Sequence, residues 1–244
     1  MTNPSGKRAN GRLFDQSREF QITWDPMEFA LSSVTIQTGR TSVLCSVCIE
    51  EGVPSWRIGQ NKGWLSAEYR LLPGSTPSRQ KREILKLSGR TQEIQRLIGR
   101  TLRATLDMTL LGERTLLIDC DVVQADAGTR TAAITGSWIA LSRGLERLVR
   151  RGSLPENPLR SQVAAISVGL INGLPLLDLD YSEDSIADVD LNVVMDANGN
   201  FLEIQGSAER LAFSRKQLNN LLDLAQQGIT GLHIAQLSAL KDED

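Results

Sequence analysis

The chain has 244 residues, enough for one large domain or two small packed halves with a core that needs no staples. Apolar residues make up 41%, in short interrupted runs, and residues 1–12 are polar and basic, so no membrane span or secretory signal is expected. Net charge is only −2, yet residues 79–103 carry eight Lys/Arg against two acids, while residues 161–209 carry nine acids and no base. One segment suits phosphates and the other suits a cation, although solvated faces of opposite sign would read the same way. Three cysteines cannot all pair, which places the chain in a reducing cytoplasm. A single histidine, His233, argues against a histidine-dependent triad or a His-rich zinc site.

In chain order, β-branched and aromatic segments predict strands over 20–24, 29–31, 34–37 and 41–49, broken by Asp25-Pro26 and Gly39. Within the last of these, Cys45 and Cys48 lie three apart and diverge to opposite faces, so they read as ordinary buried thiols. Residues 51–90 read as a long loop, punctuated by glycine and proline. Thr91 then caps a helix with the stripe Ile94, Leu97, Ile98 and Leu102, ended by Gly112. Its Arg96, Arg100 and Arg103 share a face. A strand over 114–123 leads through Gln124-Ala125-Asp126-Ala127-Gly128 into a second helix, to about residue 151, with the stripe Ile134, Trp138, Leu141, Leu145 and Leu148.

A Pro/Gly-containing stretch at 152–158 separates the halves. Beyond it come a buried-type strand over 163–171, a turn at Asn172-Gly173 and a strand over 176–181. A hairpin of 191–195 and 201–205 surrounds Asn198-Gly199, and two helices close the chain, one capped by Ser214, the other over 230–240. Each half reads as strands followed by two helices, an α+β chain of two similar subdomains.

Three features carry chemistry. Gly128-Thr129-Arg130 opens a helix, where unpaired amides attract an anion and Arg130 offers a bidentate contact, although an ordinary capped helix start would look alike. Ser88-Gly89-Arg90-Thr91 repeats this logic at the preceding helix, so two arginines could converge on one tetrahedral anion. Asp178, Asp180, Glu183, Asp184, Asp188 and Asp190 crowd six acids into thirteen residues. With no Lys or Arg nearby in the sequence, their natural partner is a cation such as Mg²⁺, the alternative being a solvated acidic turn. Together these features fit phosphoryl transfer, which needs positioning and charge neutralisation more than a nucleophilic side chain. Were bound phosphate the nucleophile, the reaction would be phosphorolysis.

The segments Gly63-Trp64-Leu65-Ser66-Ala67-Glu68-Tyr69, Gly89-Arg90-Thr91-Gln92-Glu93, Leu111-Gly112-Glu113-Arg114-Thr115, Asp119-Cys120-Asp121-Val122, Gln124 to Thr131 and Gln205-Gly206-Ser207-Ala208-Glu209 resemble the ribonuclease PH family. The resemblance runs in order from about residue 11 to residue 236. It implies two subdomains of the ribosomal S5 domain 2-like type, over 11–151 and 160–240. It further implies a phosphate-dependent 3′→5′ exoribonuclease that trims transfer RNA precursors, with ribosomal RNA 3′ ends as a further substrate class, and releases nucleoside diphosphates. Carried over by motif, inorganic phosphate falls to Arg90, Gly128, Thr129 and Arg130. Catalysis and Mg²⁺ (or Mn²⁺) fall to Asp184 and Asp190; one of the two, Asp184 before Asp190, could instead hand a proton to the leaving oxygen, and the sequence does not divide the roles. The transfer RNA acceptor stem falls to Arg79 and Arg82 on a basic loop, and the implied assembly is a homo-hexamer, a trimer of dimers. Two departures stand out. Gly74 replaces the family's arginine after Pro73, and Ala127 replaces a glycine, which is tolerable if the backbone there needs no positive φ. A non-catalytic ring subunit would have lost these site residues, and a polynucleotide phosphorylase would need a duplicated core.

Overall fold

Alternating apolar residues build the first sheet of the computed structural model, which describes residues 8–241. Strands β1 (Phe20–Trp24), β2 (Ser32–Thr38) and β3 (Thr41–Glu51) form an antiparallel meander. Strand β4 (Trp64–Leu71) pairs parallel with β5 (Arg114–Gln124), which pairs antiparallel with β3. The sheet order is β1-β2-β3-β5-β4. The parallel pair needs a crossover, and helix α1 (Gly89–Ala104) supplies it.

In the second sheet the order is β7-β6-β8-β9, with β6 (Val163–Ile171), β7 (Leu174–Leu177), β8 (Val189–Asp196) and β9 (Phe201–Ala208) all antiparallel. Helix α5 (Arg215–Lys241) covers it, burying Leu221, Leu224, Ala225 and Ile229. Between the two sheets runs α3 (Thr129–Arg150), apolar on more than one side because it packs on β2 and β3 and also on β6. Thr135 fastens this joint, since its Oγ1 accepts the Ala165 amide at 3.1 Å. Buried Gln236 of α5 ties both units, donating to Thr135 O at 3.1 Å and Val163 O at 3.0 Å.

Several expectations change. Residues 29–31 form no strand: Phe29 is 98% exposed at the tip of the β1–β2 connection. The long loop hides β4, whose Leu65, Ala67 and Tyr69 point into the core. Ser88, not Thr91, caps α1: its Oγ accepts the Thr91 amide at 3.2 Å, placing Thr91 in the first turn. That helix stops at Ala104, and Gly112 instead ends a separate single turn, α2 (Met108–Leu111). Strand β7 ends at Leu177, because Asp178 turns to φ 53°. The last two helices are one. Gly228 does not break α5, since it marks the contact where a Cβ would lie 2.7 Å from Ile166 Cδ1 and Leu177 Cδ1.

Gly136 plays the same part on α3, where a Cβ would lie 2.6 Å from Ile36 Cγ2 and 3.0 Å from Cys45 Sγ. Alanine is the better helix former by about 1 kcal/mol. Gly136→Ala should nonetheless destabilise the protein by about 1–3 kcal/mol, because β-branched Ile36 cannot step aside. Urea unfolding checks this, and a higher midpoint in the variant would contradict the packing described.

Candidate active site

One wall of the site grows from the end of β5. Residues Ala127 and Gly128 both take the left-handed conformation, at φ 57° and 64°, before α3 begins. A left-handed residue followed by a helical one turns successive amides toward one concave side, here at the positive end of a 22-residue helix. At position 128 the positive φ favours glycine, and a Cβ would lie 2.7 Å from Arg18 Nη2, forcing the guanidinium to shift. The backbone at Ala127 does need positive φ, and alanine bears a cost of about 1–2 kcal/mol there. Clamps hold the turn: Thr41 Oγ1 donates to Ala127 O at 2.6 Å and accepts the Asp126 amide at 3.0 Å. Arg18 Nη1 adds a bond to Asp126 O at 2.6 Å.

The side chains of this wall are oriented in turn. Tyr69 OH lies 2.8 Å from Thr129 Oγ1, and burial pushes its phenol above the ordinary range, so it stays neutral and can donate. Arg130 Nη1 donates to Gln205 Oε1 and lies 3.2 Å from Glu93 Oε2, while Gln205 Nε2 donates to Glu93 Oε1 at 3.1 Å. Arg90 stands exposed in the first turn of α1. Arg90, Gly128, Thr129 and Arg130 border one cleft of about 840 Å³, so the two helix starts open on the same space.

Opposite them lies the acidic wall, and the structure sorts its six carboxylates. Expectation gave them no basic partner, but three arginines from before β1 supply one. Glu183 is gripped by buried Arg8, whose Nε donates to Oε1 at 2.6 Å, and by Arg12 at 3.3 Å. Asp178 receives Arg18 Nη2 at 2.7 Å and Nε at 3.0 Å. Asp180 caps the single turn α4 (Tyr181–Asp184) and accepts Asn10 Nδ2 at 2.7 Å, and Asp188 accepts the Asn172 amide at 2.8 Å.

Asp184 and Asp190 remain, both on the cleft. Burial raises the Asp184 carboxyl above its usual range, opposed by Arg90 and Arg130. Asp190 is pushed up to about 6, by burial first and then by Asp184, against Arg130 and the Asn192 amide, whose Nδ2 donates to Oδ2 at 3.3 Å. Its Oδ1 is buried with no partner. Two coupled carboxylates with an orphaned oxygen fit Mg²⁺ or Mn²⁺, which take one or two carboxylates plus water and phosphate oxygens. Among the described residues no group of three or more His, Cys, Asp or Glu forms a complete protein cage.

Arg79 and Arg82 are exposed on the loop between β4 and α1 and do not line the cleft, whereas Arg70 and Lys81 do. A side chain at Gly74 would meet nothing within 4 Å, so the loop lacks a cation there for no packing reason. Sequence reasoning gave no role to Arg18, Glu93, Ser167, Asn192 or Gln205. Glu93 and Gln205 carried a signal, as residues of quoted motifs.

Asp190 yields a pH prediction. An Asp whose folded pKa is raised is stable while protonated, so its contribution is lost as pH rises from its ordinary value through about 6. Without divalent cation, Asp190→Asn should therefore be more stable than wild type by about 1–3 kcal/mol near pH 8 and about equal near pH 4. Thermal unfolding in chelator at both pH values decides it. Equal stability at the higher pH would show that the carboxylate carries no burial cost.

Comparison with known proteins gives the family. Residues 16–143 match the model of domain 1 of the 3′ exoribonuclease family, and residues 161–228 match domain 2. Ribonuclease PH of Prochlorococcus marinus (strain MIT 9313) is 70% identical over 244 residues, covering 100% of both chains. Ribonuclease PH of Synechococcus elongatus is 58% identical, over 96% of this chain and 98% of its own. Among solved structures, the Archaeoglobus fulgidus exosome with RNA bound to the active site matches with a TM-score of 0.81 at 22% identity, covering 95% of this chain and 93% of that one. Rice (Oryza sativa) Rrp46 matches at 0.77 and 20% identity, over 96% and 100% of the two chains. Those two likenesses carry the fold; matched over both domains and 70% identical to a ribonuclease PH across its full length, the chain belongs to the 3′ exoribonuclease family of ribonuclease PH.

Proposed function

We propose that this chain is a phosphate-dependent 3′→5′ exoribonuclease that trims the 3′ extensions of transfer RNA precursors and releases nucleoside diphosphates. The observation that carries the reading is the cleft itself. Arg90, Arg130 and the α3 amides face Asp184 and Asp190, two carboxylates without a salt-bridge partner among the described residues. That arrangement seats an anion against one wall and a cation against the other.

Phosphate held by Arg90, Arg130 and the amides of 128–130 is the nucleophile. Neutral Tyr69 can donate to Thr129, and in that arrangement the Thr129 hydroxyl is free to donate to the anion. A phosphate oxygen forms a bond to the phosphorus of the last nucleotide as the bond to the 3′ oxygen of the preceding one breaks. The products are a nucleoside diphosphate and an RNA one nucleotide shorter, whose leaving 3′ oxygen takes a proton. Asp190, at about 6, holds a proton to higher pH than an ordinary carboxyl, so it shares with Asp184 the candidacy for that transfer. Mg²⁺ or Mn²⁺ bound by Asp184 and Asp190 would neutralise charge on the transferring phosphate.

Two subdomains divide this labour in the proposal: 11–151 brings the phosphate wall and RNA loop, and 160–240 brings the acidic wall. Arg79 and Arg82, exposed beside the cleft, would hold the acceptor stem, with Arg70 and Lys81 of the lining in place of a cation at Gly74. Family membership and the likeness in fold to exosome subunits support a ring, which we place as a homo-hexamer built as a trimer of dimers. No helix of the described residues is long and apolar enough to cross a membrane, and the three cysteines are free, in keeping with a cytoplasmic enzyme.

A 3′-extended transfer RNA should be shortened only when phosphate is supplied, with nucleoside diphosphates as product; monophosphates formed without phosphate would overturn the reading. Arg130→Ala should slow the reaction by roughly 30- to 1,000-fold, equivalent to about 2–4 kcal/mol for a lost charge-assisted contact. Near-normal turnover of the folded variant at low phosphate would remove Arg130 from the site.

A further inference from the structure

Strand pairing sets a polar row across the floor of the second sheet. Ser167 of β6 stands opposite Asn192 of β8, which stands opposite Gln205 of β9. Asn192 and Asp190 are two apart on one strand and share a face. Gln205 is occupied by Arg130 and Glu93. Asn192 gives its Nδ2 to Asp190, which leaves its Oδ1 to accept. Ser167 is different. It is 3% exposed, its hydroxyl has no partner, and it nevertheless lines the cleft.

A buried hydroxyl without a partner is costly to keep, and a site of this kind is completed by a ligand group. That group is not an anion, because Asp190 and Asp184 line the same cleft while the seats for anions are on the opposite wall, and the place for a cation is at the two carboxylates themselves. It must also both accept, from Ser167, and donate, to Asn192 Oδ1. A ribose hydroxyl meets both demands, and the 2′-hydroxyl is the group that separates RNA from DNA. We propose that Ser167, with Asn192, binds the ribose 2′-hydroxyl vicinal to the leaving 3′ oxygen and makes the enzyme selective for RNA over DNA. The assignment rests on the phosphorolytic reading above, because it is that reaction which brings the leaving ribose next to Asp190.

The test removes each partner in turn. Wild type and Ser167→Ala are given phosphate and two RNA substrates, one all-ribose and one with a single 2′-deoxy nucleotide at the penultimate position. Removal of the last nucleotide is timed in a single turnover. Wild type should be about threefold to tenfold slower on the deoxy substrate through loss of this contact, beyond any change in leaving-group acidity. Ser167→Ala should slow the all-ribose substrate by the same factor and slow the deoxy substrate little further. The ratio of ratios cancels the leaving-group effect, which both enzymes share.

Folding is not the obstacle, since the variant deletes an unsatisfied buried hydroxyl and should melt no lower than wild type. Ser167→Cys, a weaker donor of similar shape, should fall between the two. If Ser167→Ala keeps the full discrimination, or slows both substrates equally, the hydroxyl assignment is overturned while phosphorolysis stands. If wild type removes no nucleotide with phosphate, both fall together.

Discussion

The site depends on how counter-charge is distributed among six neighbouring carboxylates. Arg8, Arg12 and Arg18 reach across from the segment before β1 and take up Glu183 and Asp178. Removing one partner from a buried pair of this kind is strongly destabilising, which locks α4 in place beside the cleft. Asp184 and Asp190 receive no such partner, so they stay coupled, partly desolvated and available. A turn that would otherwise be six mutually repelling acids becomes a rigid mount for two.

Arg18 joins that mount to the opposite wall. It binds Asp178 through two nitrogens and, through the third, the Asp126 carbonyl of the turn that starts α3. The lengths of both sides of the cleft are thereby referred to one guanidinium. Helix α3 does the same on the scale of the fold, since it packs on both sheets and carries Thr129 and Arg130 in its first turn. Beside it, Gln205 of the second sheet and Glu93 of α1 orient Arg130, so elements from both halves fix the guanidinium before any anion arrives.

Local patterns in the sequence disclosed the elements with strong periodicity and strong turn chemistry: α3, β6, the hairpin of β8 and β9, and both helix starts. Strand β4 was hidden because its eight residues sit among glycines and prolines, and its partner β5 lies beyond a helix. The continuity of α5 across Gly228 was not legible either, because a glycine in a helix marks either an end or a close contact, and only the packing of Ile166 and Leu177 tells which. That Arg90, Arg130, Asp184 and Asp190 belong near one another was legible, because motif and helix-end electrostatics both singled out the arginines, and motif and crowding of acids both singled out the aspartates; all four line one cleft. Arg8 and Arg18 were not legible, because they pair with acids 160 to 175 residues away, a separation no local pattern spans. Ser167 was silent for a related reason: a serine in an apolar strand says nothing until its register with Asn192 is known.

In the proposed reaction, the two carboxylates left unpaired on the cleft hold a divalent cation that the chemistry needs. A titration of activity against Mg²⁺ in wild type, Asp184→Asn and Asp190→Asn, with inorganic phosphate binding measured in parallel, tests it most directly. Near-isosteric Asn keeps the packing and removes the charge, so each variant should lose activity and its magnesium response while still binding phosphate. Activity within a few-fold of wild type, with an unaltered magnesium dependence in both variants, would contradict the account.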